Sequence, residues 1–190
     1  MNIQEKFKEK YYVARLNARD QKVFEDVYDH YIDRVYRYIF FKVPTQEDAE
    51  DLTSEVFFKA WQYIYTHERR IEYLNAFLFQ IARNTVVDFY RRKTNVESLS
   101  DEETMRRIED YRQQNLLAGM DNKADIREIE RVLKSLKDEY REVIVLKYIE
   151  ELSTAEISKI LNKSKGAVRI LVHRAMTILR KNIPDSNEKK

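Results

Sequence analysis

Seven basic side chains and no acidic one lie between Lys159 and Lys181, where the apolar residues have helical spacing. Cationic side chains bind phosphate oxygens, and an arginine can also pair with both acceptors of a guanine edge. The stretch is typical of a helix, a short turn and a second helix, which is the shape that enters a major groove. These residues therefore predict recognition of double-stranded DNA. The basic residues are Lys159, Lys163, Lys165, Arg169, Arg174, Arg180 and Lys181.

Local signals define the two helices of this hairpin. Ser153 and Glu156 form a capping box that predicts the start of the first helix, and Ser164 is the predicted cap of the second. Asn162 lies in the turn between them, where its tolerance of left-handed backbone is useful. An ordinary helical hairpin with a solvated basic face is the alternative interpretation.

The second helix is the predicted recognition helix. Arg169 is the candidate for guanine contact, whereas Lys163, Arg174 and Lys181 are candidates for phosphates. Gly166 lowers helix stability, so close approach of a DNA backbone is a plausible reason for its presence. The predicted DNA-contacting residues are Lys163, Ser164, Lys165, Gly166, Arg169, Ile170, His173 and Arg174.

Composition restricts the class of protein. The 190 residues suffice for one large or two small domains, and 36% are charged although the net charge is only +2, so basicity is local. Cysteine is absent and the three histidines lie on separate elements, so we expect no metal, no cofactor and no enzyme activity. Neither a signal peptide nor an apolar stretch of about 18 residues is present, which predicts a soluble, cytoplasmic protein without membrane insertion.

The preceding sequence predicts an N-terminal helical domain. Helical spacing indicates helices at residues 20–43, capped by Asp20, at residues 46–63, capped by Thr45, and from about residue 73 to a basic end at residues 91–93. A loop is expected from Tyr65 onward. Acidic residues line one face of the second helix at Asp48, Asp51 and Glu55.

A polar segment separates this domain from the DNA-binding end. Residues 94–124 carry sparse apolar side chains and predict a flexible linker. Helical pattern resumes at residue 125 and continues to about residue 182. The predicted fold class is all-α, with two small helical domains at residues 1–93 and 125–190.

Three motifs resemble the bacterial extracytoplasmic-function (ECF) sigma factors of RNA polymerase. Residues 48–61 (DAEDLTSEVFFKAW), residues 77–84 (FLFQIARN) and the following Asp88, Arg91 and Arg92 are similar to the second conserved region of that family. The helix-turn-helix with residues 173–175 (HRA) resembles the fourth region. The chain departs from the family pattern at Ser54 and at residues 137 and 162.

The resemblance implies a dissociable specificity subunit that directs core polymerase to promoters. The N-terminal domain would bind the clamp helices of the largest core subunit and open the −10 element. The C-terminal domain would read the −35 element and touch the flap of the second large subunit. Many relatives are held inactive by an anti-sigma factor, so such a partner is possible here.

Opening of DNA by such a protein uses binding energy to capture unstacked bases. This requires planar groups beside cations, which Tyr65, His67, Arg69 and Arg70 supply in the predicted loop; Trp61 and Tyr63 are expected in the core. Three residues of the following helix are predicted to hold the backbone: Asn84, Arg91 and Arg92. Asp48, Asp51 and Glu55 are the predicted contacts with core polymerase.

The sequence is also compatible with two other functions. A core-independent helix-turn-helix regulator would bind DNA alone, normally as a dimer on paired half-sites. A helical adaptor would bind only protein and would not need an acid-free recognition helix. Promoter binding that requires core polymerase distinguishes the sigma factor from both.

Overall fold

The computed structural model describes residues 3–67, 70–94, 132–133 and 135–182, and every regular element among them is helical. The N-terminal module consists of α1 (Ile3–Asn17), α2 (Lys22–Phe40), α3 (Gln46–Thr66) and α4 (Leu74–Thr94). The C-terminal module consists of α5 (Asp138–Ile144), its π-helical continuation (Val145–Ile149), α6 (Thr154–Ile160) and α7 (Lys165–Asn182). The predicted linker at 94–124 lies outside the described residues, apart from Thr94 at the end of α4.

Helix α1 was not predicted from the sequence. Its apolar residues do not form one stripe, since Tyr12 and Leu16 are buried whereas Phe7 and Tyr11 are mostly exposed. Polar contacts attach the helix to the rest of the module. The Asn17 amide donates to the carbonyl oxygen of Ile71 (2.8 Å) and accepts from its N–H (2.9 Å).

Helix α2 supplies the centre of the N-terminal core. Most of the apolar residues that helical spacing places on one face are buried, namely Val27, Tyr31, Val35, Tyr38 and Ile39. Of the other two, Phe24 is half-buried and Tyr28 is 38% exposed. Asp20 caps the start of the helix as predicted, because its carboxylate accepts from the N–H of residue 22 (3.1 Å), whereas residue 21 already has helical backbone and makes no side-chain cap bond. The same carboxylate pairs with residue 15. The helix ends at residue 40, three residues before the predicted end.

Helix α3 begins as predicted and ends later. Thr45 caps it by accepting from the N–H of Asp48 at 3.0 Å. The helix continues to Thr66, so the prediction that Tyr65 lies in a loop is wrong. Tertiary contacts extend the last turn, because Ile64 is buried and the Tyr65 hydroxyl donates to the carbonyl oxygen of Asp20 at 3.2 Å.

The helix-turn-helix has the predicted local structure. Ser153 and Glu156 form a complete capping box at the start of α6. Asn162 has φ 52°, which places it in the left-handed region expected for the turn. The Ser158 hydroxyl donates to the carbonyl oxygen of Lys163 (2.6 Å) and so closes the turn. Ser164 accepts from the N–H of residue 167 (3.1 Å), as predicted for the cap of α7.

The two modules pack against each other, with α6 against α4. Their contact, called the module interface below, contains charged pairs at its centre. The Lys42 ammonium lies 2.8 Å from the carboxylate of Glu142, which also accepts from the Tyr38 hydroxyl (2.6 Å). The Asn75 amide donates to the Glu156 carboxylate (2.8 Å). Burial and the neighbouring Glu142 raise the pKa of Tyr38 well above its usual value, so its hydroxyl stays a donor.

Candidate nucleic-acid interface

One face of α7 projects into solvent while the opposite face packs on the C-terminal core. Val168, Leu171 and Ala175 are buried beneath the helix. The exposed face carries the predicted recognition residues Lys165, Gly166, Arg169, Ile170, His173 and Arg174. Ile170 is 56% exposed, and its apolar side chain suits contact with the methyl group of a thymine. The structure therefore brings these predicted residues onto one surface.

The first turn of α7 is arranged to meet a phosphate. Ser164 caps the helix through its hydroxyl. The N–H groups of the exposed first turn lie at the positive end of the helix dipole, which attracts anions. Lys163 precedes this turn, and its ammonium pairs with the Glu139 carboxylate at 3.2 Å. That pair is largely exposed, so water screens it and a phosphate can replace the carboxylate.

Gly166 is not required by packing within the chain. A Cβ built on this residue would come no closer than 3.8 Å to another atom, the Ser164 hydroxyl oxygen. Its backbone has no positive φ, so any L-amino acid could adopt it. Nothing within the described part of the chain therefore requires glycine here.

The α3–α4 loop, whose described residues are 67 and 70–73, holds a pair of stacked rings at its start. The His67 ring lies 4.4 Å from the ring of Tyr63 with an interplanar angle of 13°, and Tyr63 also contacts Phe77 at 5.2 Å. His67 and Arg70 are exposed, whereas Arg69 lies outside the described residues. Parallel stacked rings beside a cation form a surface on which an unpaired base can stack.

The aromatic residues before this loop differ from expectation. Trp61 is 42% exposed, so the prediction that it belongs to the core is wrong. Tyr65 is half-buried, with its ring 5.2 Å from that of Trp61 and its hydroxyl bonded to the Asp20 carbonyl. Tyr63 is half-buried rather than enclosed. The helical register of α3 decides these positions, because residues 61 and 65 share a face at the edge of the core, against which Tyr65 packs.

A crevice of about 30 Å³ separates the α3–α4 loop from the turn between α1 and α2. Its lining includes the basic side chains of Arg19, His67 and Arg70 and the amide of Asn17. This volume has room for only about two water molecules, so a base can enter only if the loop moves. Neither Asn17 nor Arg19 was predicted, because no motif points to α1.

The acidic face of α3 contacts the basic end of α4. Glu55 accepts from Lys59 (2.7 Å) and from Arg92 (3.3 Å), and Asp48 lies 3.6 Å from the ammonium of Lys93. Burial raises the pKa of Glu55, but the hydrogen bonds from these two cations outweigh it and leave the pKa below its usual value. Asp51 is exposed on the same face. Two of the three predicted core-binding acids are thus partly neutralised within the chain.

Two predicted backbone-contacting residues of α4 lie near this cluster. Arg92 pairs with Glu55, and Arg91 lies 3.8 Å from the Asp88 carboxylate. Asn84 is exposed two turns earlier on the same helix. In the part of the chain that the structure describes, no group of three or more metal-ligating side chains is present, and no helix is long and apolar enough to cross a membrane.

Sequence models of two conserved regions match the chain. The one described as Sigma-70 region 2 matches residues 27–96, and the one described as Sigma-70, region 4 matches residues 126–179. The ECF RNA polymerase sigma factor SigW of Bacillus subtilis is 31% identical, with 91% of this chain and 95% of SigW covered. The ECF RNA polymerase sigma factor BldN of Streptomyces coelicolor is 34% identical over 91% of this chain, which spans 65% of BldN.

Solved structures support the fold. CnrH, in complex with the cytosolic domain of CnrY, matches with a TM-score of 0.61 and 21% identity over 91% of this chain and 95% of CnrH. The sigma factor RpoE, in complex with the anti-sigma factor NepR from Bartonella quintana, matches with a TM-score of 0.60 and 22% identity over 84% of this chain and 96% of RpoE.

The predicted all-α fold with two helical domains is confirmed by these structures. A core-independent regulator is not favoured, because the matches include the second region as well as the DNA-binding fourth region. Sigma factors are initiation factors rather than enzymes, which agrees with the predicted absence of enzyme activity. The chain belongs to the ECF sigma factors, which direct RNA polymerase to specific promoters for the initiation of transcription.

Proposed function

We propose that three surfaces of this chain divide the work of initiation. The exposed face of α7 reads the −35 element, the α3–α4 loop with α4 opens the −10 element, and the acidic face of α3 binds core polymerase. The observation that carries the proposal is the exposure of all the predicted recognition residues along one face of a capped helix. The domain boundaries at residues 93 and 125 belong to the same proposal.

Recognition at the −35 element depends on Arg169. Its guanidinium projects from the middle of the exposed face, where it can donate two hydrogen bonds to a guanine. The N-terminal turn of α7 and Lys163 supply phosphate contacts that fix the helix in the groove. Phosphate contacts provide affinity, and the base contact provides the sequence preference.

Strand opening uses the stacked pair of Tyr63 and His67. A base that leaves the duplex can extend this stack, and Arg70 can bind its phosphate. Stacking then offsets the cost of unstacking the base from the duplex, which is on the order of a few kcal/mol. Tyr65 contributes by supporting the end of α3 through its bond to Asp20.

Core binding uses Asp48, Asp51 and Glu55 on α3. A cationic surface on the clamp helices would compete with the chain's own Lys93 and Arg92 for these carboxylates. Because the intramolecular pairs are partly exposed, their loss costs little. The C-terminal module would contact the flap of the second large subunit.

An anti-sigma factor is a further proposed partner. RpoE is described in complex with the anti-sigma factor NepR. In this chain Phe58 is 64% exposed and Trp61 is 42% exposed on α3, which gives a partner protein an apolar anchor outside the DNA-contacting face of α7.

The test of the main proposal is a reconstitution. The purified chain is mixed with sigma-free core enzyme and genomic DNA, and the starts of the transcripts are mapped. We expect defined start sites that share upstream elements and that disappear when the chain is omitted. Tight binding of the free chain to one operator, without association with core, would contradict the proposal.

Gly166→Ala is expected to raise the stability of the chain and to lower its promoter affinity. The added Cβ has space within the chain, so the helix should gain roughly 0.5–1 kcal/mol of stability. Promoter affinity of the holoenzyme should nevertheless fall, because the Cβ meets the DNA backbone. Thermal melting and promoter binding measure the two effects. Thr177→Ala, at an exposed position later in α7, is the control and should leave promoter affinity unchanged.

His67→Ala is expected to impair strand opening while closed complexes still form. The substitution removes the outer ring of the stacked pair, and one stacked base contributes about 1–3 kcal/mol. Permanganate reactivity of thymines in the bubble should therefore decrease. Gln62→Ala, an exposed position one turn earlier on α3, is the matched control. Unchanged thymine reactivity in the His67 variant would exclude this ring from the opening step.

A further inference from the structure

The N-terminal module presents four basic side chains to the C-terminal module across the module interface: Arg34, Arg37, Lys42 and Arg83. They are called the cationic face below. We propose that this face binds the phosphate backbone of promoter DNA once the modules separate, and that carboxylates of the C-terminal module occupy the phosphate positions in the closed chain. The inference rests on the proposed function, because it requires that the two modules contact separate promoter elements.

The geometry around Glu150 is that of an anion site. Arg34 donates from Nε to one carboxylate oxygen (3.0 Å), and Arg37 donates from Nε to the other (2.9 Å). Arg34 also donates from Nη2 to the carbonyl oxygen of Glu150 (2.9 Å). The Glu150 side chain is fully buried, whereas that of Arg37 is 44% exposed. Two guanidinium groups that converge on one pair of oxygens bind a phosphate as well as a carboxylate.

Lys42 and Arg83 form the other half of the cationic face, and they also lie beside carboxylates of the C-terminal module. The Lys42 ammonium lies 2.8 Å from Glu142 and 3.5 Å from Asp138, and its side chain is 3% exposed. Arg83 lies 3.5 Å from the Glu142 carboxylate. Buried ion pairs are often no more stabilising than apolar residues of similar volume. A module interface built for stability alone therefore does not require these charges, whereas a face that must later bind a polyanion does.

The spacing of the promoter elements requires the two modules to separate. The −10 and −35 elements are separated by about 25 base pairs, or roughly 85 Å at 3.4 Å per base pair. Modules that pack α6 directly on α4 cannot reach both elements at once. When they separate, the acids leave with the C-terminal module and the cations stay beside the proposed opening site. The basic side chains then lie in water without their carboxylate partners, and the face is available to a new anion.

The position of the face favours DNA over the polymerase as its partner. Asn75, whose amide binds Glu156 in the same module interface, lies at the start of α4, directly after the α3–α4 loop. Arg34 of the cationic face donates to the Asn75 amide oxygen at 3.2 Å, so the face reaches the start of α4, the helix proposed to hold the −10 backbone. The proposed polymerase-binding face is acidic and lies on α3. The cationic face is therefore contiguous with the DNA site and opposite in charge to the face assigned to core.

The test uses two variants that break the same ion pair from opposite sides. Core polymerase that holds the modules at two separate promoter elements binds the open chain, and Arg37→Gln and Glu150→Gln both weaken the closed state. Both should therefore raise the apparent affinity of the chain for core polymerase by a similar factor. In the assembled holoenzyme only Arg37→Gln should lower promoter affinity, by roughly 3- to 10-fold, with a decrease of about 1 in the slope of log affinity against log salt concentration. Arg37→Lys should restore most of that slope, because it restores the charge.

Three outcomes would overturn the inference. An unchanged salt slope for Arg37→Gln holoenzyme means that the face does not touch DNA. Weaker core binding for Arg37→Gln, with core binding of Glu150→Gln retained, assigns the face to the polymerase. Equal loss of promoter affinity in both variants, with unchanged thermal melting of each, means that the intact ion pair, and not the arginine alone, supports promoter binding. Arg169→Ala is measured in the same assay, so failure of the proposed −35 contact is detected separately from failure of this inference.

Discussion

Lys42→Met is expected to separate the two modules in the free chain. The methionine keeps most of the apolar stem, but it removes the charge that faces Glu142 at 2.8 Å and Asp138 at 3.5 Å. Loss of one partner from a buried ion pair costs about 3–5 kcal/mol. Without the ammonium, Glu142 keeps, among the described residues, only the Tyr38 hydroxyl and the more distant Arg83. Separation of the modules returns both carboxylates to water and avoids that cost. The closed population should therefore fall steeply.

The measurement is a distance between two spin labels. The chain has no cysteine, so labels can be placed at Gln62→Cys in α3 and Thr177→Cys in α7 without other changes. Both positions are exposed and lie in different modules. The distance distribution of the Lys42 variant should become longer and broader than that of the unsubstituted chain, with helix content retained by circular dichroism.

Glu142→Gln provides the control for this result. In combination with Lys42→Met it removes one of the buried negative charges, so the double variant should recover part of the closed population. An identical distance distribution in all variants would show that the charged centre of the module interface does not hold the modules together. Recovery by the double variant would assign the effect to charge rather than to packing.

Arg169→Ala is expected to cause a large loss of promoter affinity. A bidentate contact with guanine contributes about 1–3 kcal/mol, which corresponds to a decrease of roughly 5- to 150-fold in affinity. The side chain is exposed on α7, so its removal leaves no buried partner and the fold should be unaffected. Transcription from the cognate promoter should fall, and preference at one base pair of the −35 element should relax. Core binding should be retained.

Lys181→Ala is the matched comparison on the same helix. It removes an exposed cation that we expect to contact only phosphate, so affinity should fall slightly and by the same factor for every promoter sequence. Arg169→Ala should instead affect promoters that carry the preferred base more than others. Parallel loss of core binding and promoter binding in the Arg169 variant would contradict its assignment to the −35 element.

Features of the helix-turn-helix could be predicted because their causes lie within a few residues. The capping box of Ser153 and Glu156, the cap at Ser164 and the left-handed Asn162 follow from side-chain bonds to nearby backbone and from intrinsic backbone preference. The apolar spacing of α7 also fixes which face packs and which face carries Arg169. The residues of the candidate DNA surface of this module could therefore be predicted from the sequence.

Predictions for the N-terminal module failed where distant residues decide the structure. Tyr65 is helical because its hydroxyl binds the backbone of Asp20 and because the last turn packs on the core. Helix α1 lacks a one-sided apolar stripe, and its attachment through Asn17 joins residues 54 positions apart. No pattern in a short window contains such information.

By itself, the amino-acid sequence determined the helix-turn-helix of the C-terminal module, with its caps, its left-handed turn and the basic face of α7 that is predicted to read DNA, since each follows from neighbours a few residues apart. Only the tertiary structure decided how the modules meet. Arg34 reaches Glu150 across 116 positions, and Tyr38 reaches Glu142 across 104. The physical reason is that a charged residue of a helix has the same local pattern whether it faces water or a carboxylate of the other module, and packing alone distinguishes the two.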